Sequence, residues 1–167
     1  VRILRAVAAA AASAALVAGL SGCSSTVPLE PADDANNPGC ADVVVRLPEV
    51  ISGQQRRDTN AQATGAWGEP PSVLLYCGVE VPSASTQRCI RVDNIDWLVN
   101  DENAPSYVLR SYGREPAVDV VVDTTVTGAT PALMALSRAV AHTQPNGHAC
   151  TDLDDADIID GDGSLIG

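Results

Sequence analysis

Apolar and polar positions separate sharply at the N-terminal end, where Arg2 and Arg5 precede an alanine-rich apolar run of fifteen residues, Ala6 to Leu20. The run is short for a membrane-spanning helix and suits the apolar region of a signal sequence. Ser24 to Asn37 has no hydrophobic period, carries Pro28, Pro31, Glu30, Asp33 and Asp34, and reads as a flexible tether. Asn37-Pro38 then forms a cap followed by a first-turn proline. Cys40, Val43, Val44 and Leu47 recur at helical spacing, whereas Ala41, Val43, Val45 and Leu47 fit strand alternation equally well; helix is the reading taken. Gly53 through Gly65 is polar and reads as loop or frayed helix.

From Trp67 the pattern changes. Trp67-Gly68-Glu69-Pro70-Pro71 is turn chemistry, and Ser72 to Val79 is a nearly continuous apolar run of strand length. Arg88 to Trp97 alternates weakly and reads as a second strand, Ser106 to Tyr112 as a third. Gly113-Arg114-Glu115-Pro116 makes a tight turn into a fourth, Ala117 to Asp123, with Val118, Val120 and Val122 on one face and Asp119 and Asp123 on the other. Thr130-Pro131 caps a helix whose apolar face is Leu133, Leu136, Val140, Met134 and Ala141, ended by Pro145-Asn146-Gly147. Short links between successive strands favour neighbours in space. The expected fold is α+β: a two-layer sandwich, an antiparallel meander of about four strands with one or two helices on one face.

Leu20-Ser21-Gly22-Cys23 closes the first apolar run in the order of a bacterial lipoprotein cleavage box. The cysteine thiolate accepts the lipid, and small Ser21 and Gly22 let the backbone enter a peptidase site. The expected division is therefore a signal peptide at 1–22, lipidated Cys23 with a tether at 23–37, one disulfide-stapled domain at 38–150, and a disordered acidic tail at 151–167. More than one acyl chain gives stable attachment. The membrane, reached through this anchor on the extracytoplasmic face, is the first expected partner.

Composition narrows the chemistry. Phenylalanine is absent and aromatics are 3%, so a core must come from Val, Leu, Ile and Ala. The formal charge is −11; without Arg2 and Arg5, eight basic residues face 21 acids, giving −13. Such a surface repels nucleic acid, which is not expected as a partner. All ten basic residues are arginine, which removes Schiff-base lysines, the phosphate-loop lysine and Ser-x-x-Lys nucleophiles.

After lipidation Cys40, Cys77, Cys89 and Cys150 remain, an even number suited to two disulfides in an oxidising compartment. Four cysteines allow three connectivities, and none of their spacings is Cys-x-x-Cys.

Cys40 with Leu47-Pro48, Trp67-Gly68-Glu69-Pro70-Pro71, Leu75-Tyr76-Cys77-Gly78-Val79, Asp96-Trp97 and Tyr112-Gly113-Arg114-Glu115-Pro116-Ala117-Val118-Asp119-Val120 together resemble an exported actinobacterial domain-of-unknown-function family, of which this would be a lipoprotein member. The resemblance covers Pro38 to His142. Tyr76, where arginine is usual, and Asp93-Asn94-Ile95, where Asn-Gly-Val is usual, depart from it. It implies that Cys40 pairs with Cys77, leaving Cys89 with Cys150, and it carries no assigned activity.

Candidate chemistry is sparse. Asp93 and Asp96 beside Trp97 form a carboxylate pair, but residues three apart on a strand face opposite sides, so a solvated pair or turn cap is the reading taken. His142, His148 and Cys150 would make a metal set only with Cys150 reduced. The six aspartates from Asp152 to Asp162 lack a calcium-loop order, and neither metal nor cofactor is expected. Trp67, Asp96, Trp97, Tyr112 and Arg114 are the candidate binding surface, an aromatic and arginine platform, with core packing as the simpler reading of the aromatics. No nucleophile, base and orienter can be assembled, so no catalytic residue is assigned. The expectation is a non-catalytic binding or assembly module for an envelope protein or small ligand; the alternative is a small envelope hydrolase using carboxylates near Asp96.

Overall fold

The computed structural model describes residues 25–151, together with 158–159 and 165–166. Their order is α1 (Pro38–Val44), β1 (Val50–Ile51), β2 (Gln54–Arg57), β3 (Thr64–Trp67), β4 (Val73–Val79), β5 (Cys89–Val92), β6 (Ile95–Asn100), β7 (Ser106–Tyr112), β8 (Arg114–Glu115), β9 (Ala117–Asp123), α2 (Ala129–Val140) and β10 (Gln144–Pro145). Within the expected acidic tail, β11 (Ile158–Ile159) pairs antiparallel with β12 (Leu165–Ile166). The expected signal peptide and lipidated Cys23 lie outside the described residues.

Eight strands form one sheet in the order β1-β2-β3-β4-β9-β7-β6-β5, every neighbouring pair antiparallel. The expected α+β sandwich on a four-stranded meander is therefore corrected: the described fold is mostly β, with two short helices. Three features explain the difference. Asp93 and Asn94, read as strand interior, take φ 49° and 63°, the two left-handed positions of a tight hairpin, so one expected strand is two. β2 is entirely polar and β3 carries only small residues before Trp67, so neither shows an apolar alternation, yet their backbones pair through Arg56 with Trp67 and Arg57 with Ala66. Finally, β9 inserts between β4 and β7 rather than extending a meander. As a central strand it buries even Asp119, which is 8% exposed.

One face of this sheet is the core. Val73, Leu75 and Cys77 of β4, Val118, Val120 and Val122 of β9, Leu109 of β7 and Trp97 of β6 pack with Val43, Leu133 and Leu136 of the helices. α1 begins as its sequence predicts, with Asn37 Oδ1 accepting from the Gly39 N–H at 3.0 Å and Pro38 in the first turn. The Cys40–Cys77 disulfide fastens it to β4. α2 starts two residues earlier than Thr130-Pro131 suggests, capped at Gly128, and Met134 and Ala141 fall outside its buried face.

The expected tether is held along the domain from Ser25 onward. Val27 donates to Asp58 O at 2.8 Å, and Leu29 to Asn60 Oδ1 at 2.6 Å. Asp34 donates to Gly78 O at 3.0 Å. Gly78 is required there: its φ is +90°, and a Cβ would collide with the Asp34 carbonyl. With only Val27 and Ala35 buried among many polar residues, the segment has no hydrophobic period to betray its order.

Candidate functional site

The face of the sheet opposite the helices is built from the alternate residues of the same strands. Cross-strand register aligns Tyr76, Asp119, Arg110, Leu98 and Cys89 in one row over five strands, and Tyr112, Asp96 and Arg91 in the next. Two fork-to-fork ion pairs result. Arg110 Nε and Nη2 donate to Asp119 Oδ1 and Oδ2, both at 2.7 Å. Arg91 does the same to Asp96, at 2.6 and 2.9 Å. Such planar pairs combine charge with fixed geometry. The hydrogen bond to Asp119 holds the Arg110 guanidinium above its ordinary pKa against the opposing effect of burial. Bonding to Asp96, then its charge, does the same for Arg91.

The chain after α2 returns across this face. β10 pairs with β8, His148 stacks on Tyr112 with ring centres 5.6 Å apart, and Cys150 N–H donates to Asp96 Oδ2 at 2.8 Å. The Cys89–Cys150 disulfide locks the segment down. Gly113 permits the approach, because a Cβ there would meet the His148 carbonyl. Between this segment and the loop before β5 lies a cavity of about 450 Å³ lined by Thr86, Gln87, Arg88, Leu98, Tyr112 and the disulfide. A smaller one of about 170 Å³, bordered by Pro82, Val108 and Arg110, shares Gln87 and Leu98 with it and extends the groove along the sheet. Arg88 Nε is buried in the larger cavity's wall without a hydrogen-bond partner among the described residues.

The five candidate surface residues do not converge. Trp67 and Trp97 are fully buried on the core face, Trp67 bonding Pro48 O through Nε1 at 2.8 Å. Asp96 and Tyr112 are cross-strand neighbours on the opposite face, and only Tyr112 lines the groove. Arg114 donates to Thr143 O at 3.1 Å, closing the chain just after α2. Asp93 sits exposed in the hairpin turn, away from an Asp96 whose oxygens are already engaged. Cys150 is oxidised, and no group of three metal-binding side chains converges among the described residues. The groove residues Gln87, Arg88, Leu98 and Arg110 had no signature of their own. The alternation of Cys89 and Arg91 against Ile90 and Val92 was the available clue to the face.

A family model described as a protein of unknown function, DUF3515, matches residues 2–149. The chain belongs to that family. No curated protein and no solved structure matches it. The disulfide pairing that the family resemblance implied, Cys40 with Cys77 and Cys89 with Cys150, is the one present in this DUF3515 chain.

Tyr76 offers a measurable handle on the outer face of the DUF3515 sheet. Partial burial pushes its phenol above the ordinary tyrosine value, because the anion is less well solvated there. The folded state thus holds the proton more tightly than the unfolded chain. This contribution is whole below the ordinary tyrosine range and is lost as pH rises through the folded value. In an absorbance titration Tyr76→Phe should remove a tyrosine step that lies above the ordinary tyrosine range. A titration above that range that the substitution leaves unchanged would contradict the assignment.

Proposed function

We propose that the chain is an exported, lipid-anchored cell-envelope protein that works as a non-catalytic binding or assembly module, using the groove on its outer sheet face. Two disulfides suit an oxidising compartment and leave Cys23, of the five cysteines, for the lipid. The observation that carries the reading is the arrangement around Asp96. Its carboxylate is occupied by Arg91 and by Cys150 N–H, while the adjoining cavity stays open. A hydrolase using Asp96 as base or acid would have to break both arrangements, whereas a binding surface uses them as scaffolding. The polar rim that Thr86, Gln87 and Arg88 give the cavity fits a partner segment that brings hydrogen-bond acceptors.

A photoreactive residue at Gln87, in the chain carrying its N-terminal segment, should give a discrete adduct in the membrane fraction. The same residue at Met134, exposed on α2 behind the sheet, should give none. Equal labelling from both positions, or none from Gln87, would count against the groove. Cys23→Ala should move chain and adduct out of that fraction, and unchanged retention would refute the anchor.

A further inference from the structure

We propose that in the lipid-anchored form the domain is seated on the bilayer rather than suspended above it, with the end of the sheet that bears the Gly68–Pro71 turn facing the head groups. This rests on the anchoring reading above and on how the domain grips its own N-terminal segment. Arg57, whose side chain is 8% exposed, donates through Nη2 to Ser25 O at 2.6 Å and Ser25 Oγ at 3.1 Å. Its Nη1 donates to Gly68 O at 3.0 Å and lies 3.3 Å from Glu69 Oε2. One buried cation therefore ties the emerging chain to that turn.

The direction of exit is also fixed. Val27 bridges Thr59 in parallel, so the chain traced back from Val27 to Ser25 runs beside β2 toward its Gln54 end. There Gly68 N–H donates to Gln55 O at 3.0 Å and the Gly68–Pro71 turn begins. Cys23 precedes Ser25 by two residues. Whatever the conformation of that link, covalent geometry keeps the two Cα atoms within about 7 Å. The acyl chains on Cys23 hold it at head-group level, so the Gly68–Pro71 turn is held there too. A loose tether of the length first expected would instead reach about 20 Å.

The seating has a consequence for the groove. Asp123 donates to Ser72 O and Thr124 to Pro105 O, both at 2.9 Å, so the loops after β9 and before β7 share the membrane-facing end. The Asp93-Asn94 and Gly113–Pro116 turns lie at the other. Strands of seven residues, β4, β7 and β9, separate the two by about 20 Å. Tyr112, paired with Asp96 near the Asp93-Asn94 turn, therefore stands at the end away from the lipid, while Cys89, level with Leu98, Arg110 and Tyr76, lies at mid-sheet, so the groove runs from the far end back toward the membrane-facing one.

The test places a fluorescent donor at exposed Pro71 or at exposed His142, near Arg114 at the far end, of the lipidated full chain. Phosphatidylcholine vesicles carry the acceptor on their head groups. Transfer from Pro71 should exceed that from His142 several-fold. A ten-residue Gly/Ser insertion after Ser24, which leaves the folded residues untouched, should even them out, and Arg57→Ala should narrow the gap. Equal transfer in the unaltered chain would overturn the seating while leaving the anchor standing. A difference that survives the insertion would also overturn it, since the short link would then not be its cause. A chain that does not stay on the vesicles strikes the anchor itself, and the seating falls with it.

Discussion

Replacing Cys40 and Cys77 together with alanine is expected to lower the unfolding free energy by about 4 kcal/mol, a large share of the roughly 5–15 kcal/mol that holds a typical domain together. The bridge closes a sequence separation of 37, and constraining a loop of that size in the unfolded chain accounts for the figure. On the same entropy argument the Cys89–Cys150 bridge, at a separation of 61, would be worth slightly more. The folded state reverses that order. Cys40 and Cys77 are 1% and 0% exposed and join α1 to a central strand, so without the bond both ends stay pinned by the core. Cys150 lies in a peripheral segment that, beyond the β8–β10 pairing and the Asn146 N–H bond to Gly113 O, is held by a ring stack and one hydrogen bond to Asp96. Freed of its bridge, that segment frays in the folded protein too, and the native state recovers part of the entropy gained by the unfolded chain. The outer double-alanine variant should therefore lose only about 1–2 kcal/mol. Urea titration of both variants decides it, and an equal or larger loss for the outer pair would refute this account.

What could be read in the chain follows from where burial is one-sided. Ser106 to Tyr112 and Ala117 to Asp123 show their strands plainly because each alternates between a helix-covered face and an outer one, and Val73 to Val79 shows its strand through a nearly continuous apolar run. Asn37-Pro38 marked a helix start through local cap chemistry alone. The edge of the sheet was hidden for the opposite reason. Gln54 to Arg57 are all polar and are strand because their backbones pair, a preference with no compositional trace. The place of β9 between β4 and β7 is a long-range choice that neither strand's own residues encode. The site was hidden in the same way. Of the five candidate surface residues, Asp96 and Tyr112 are cross-strand neighbours, but Trp97, next to Asp96 in sequence, belongs to the other face, since adjacent strand residues point opposite ways, and Trp67 is buried on that face too. Arg91 and Arg88 enter only once the Asp93-Asn94 turn folds β5 onto β6.

Trp67 and Trp97 supply the second large effect, and the two should part company when each is changed to phenylalanine. Truncation of either to alanine removes a fully buried indole from a core without phenylalanine and should cost about 3–5 kcal/mol. The phenylalanine variants separate the ring from its N–H. Trp67 Nε1 donates to Pro48 O at 2.8 Å, tying β3 to the chain between α1 and β1, and its ring lies so close over Gly65 that a Cβ there would come 2.7 Å from Cη2. Trp67→Phe thus loses volume and also leaves that carbonyl without its donor, an added cost of about 1 kcal/mol or more. Trp97 Nε1 is buried with no partner among the described residues. Trp97→Phe removes an unsatisfied donor together with the lost volume, and the first change offsets part of the second. Trp97→Phe should therefore be milder than Trp67→Phe by about 1–2 kcal/mol. These are the only two tryptophans, so each variant keeps one emitter for a denaturant titration, with circular dichroism as the second probe. Equal losses, or a greater one at Trp97, would show that packing alone, and not the indole N–H, sets the cost at these two positions.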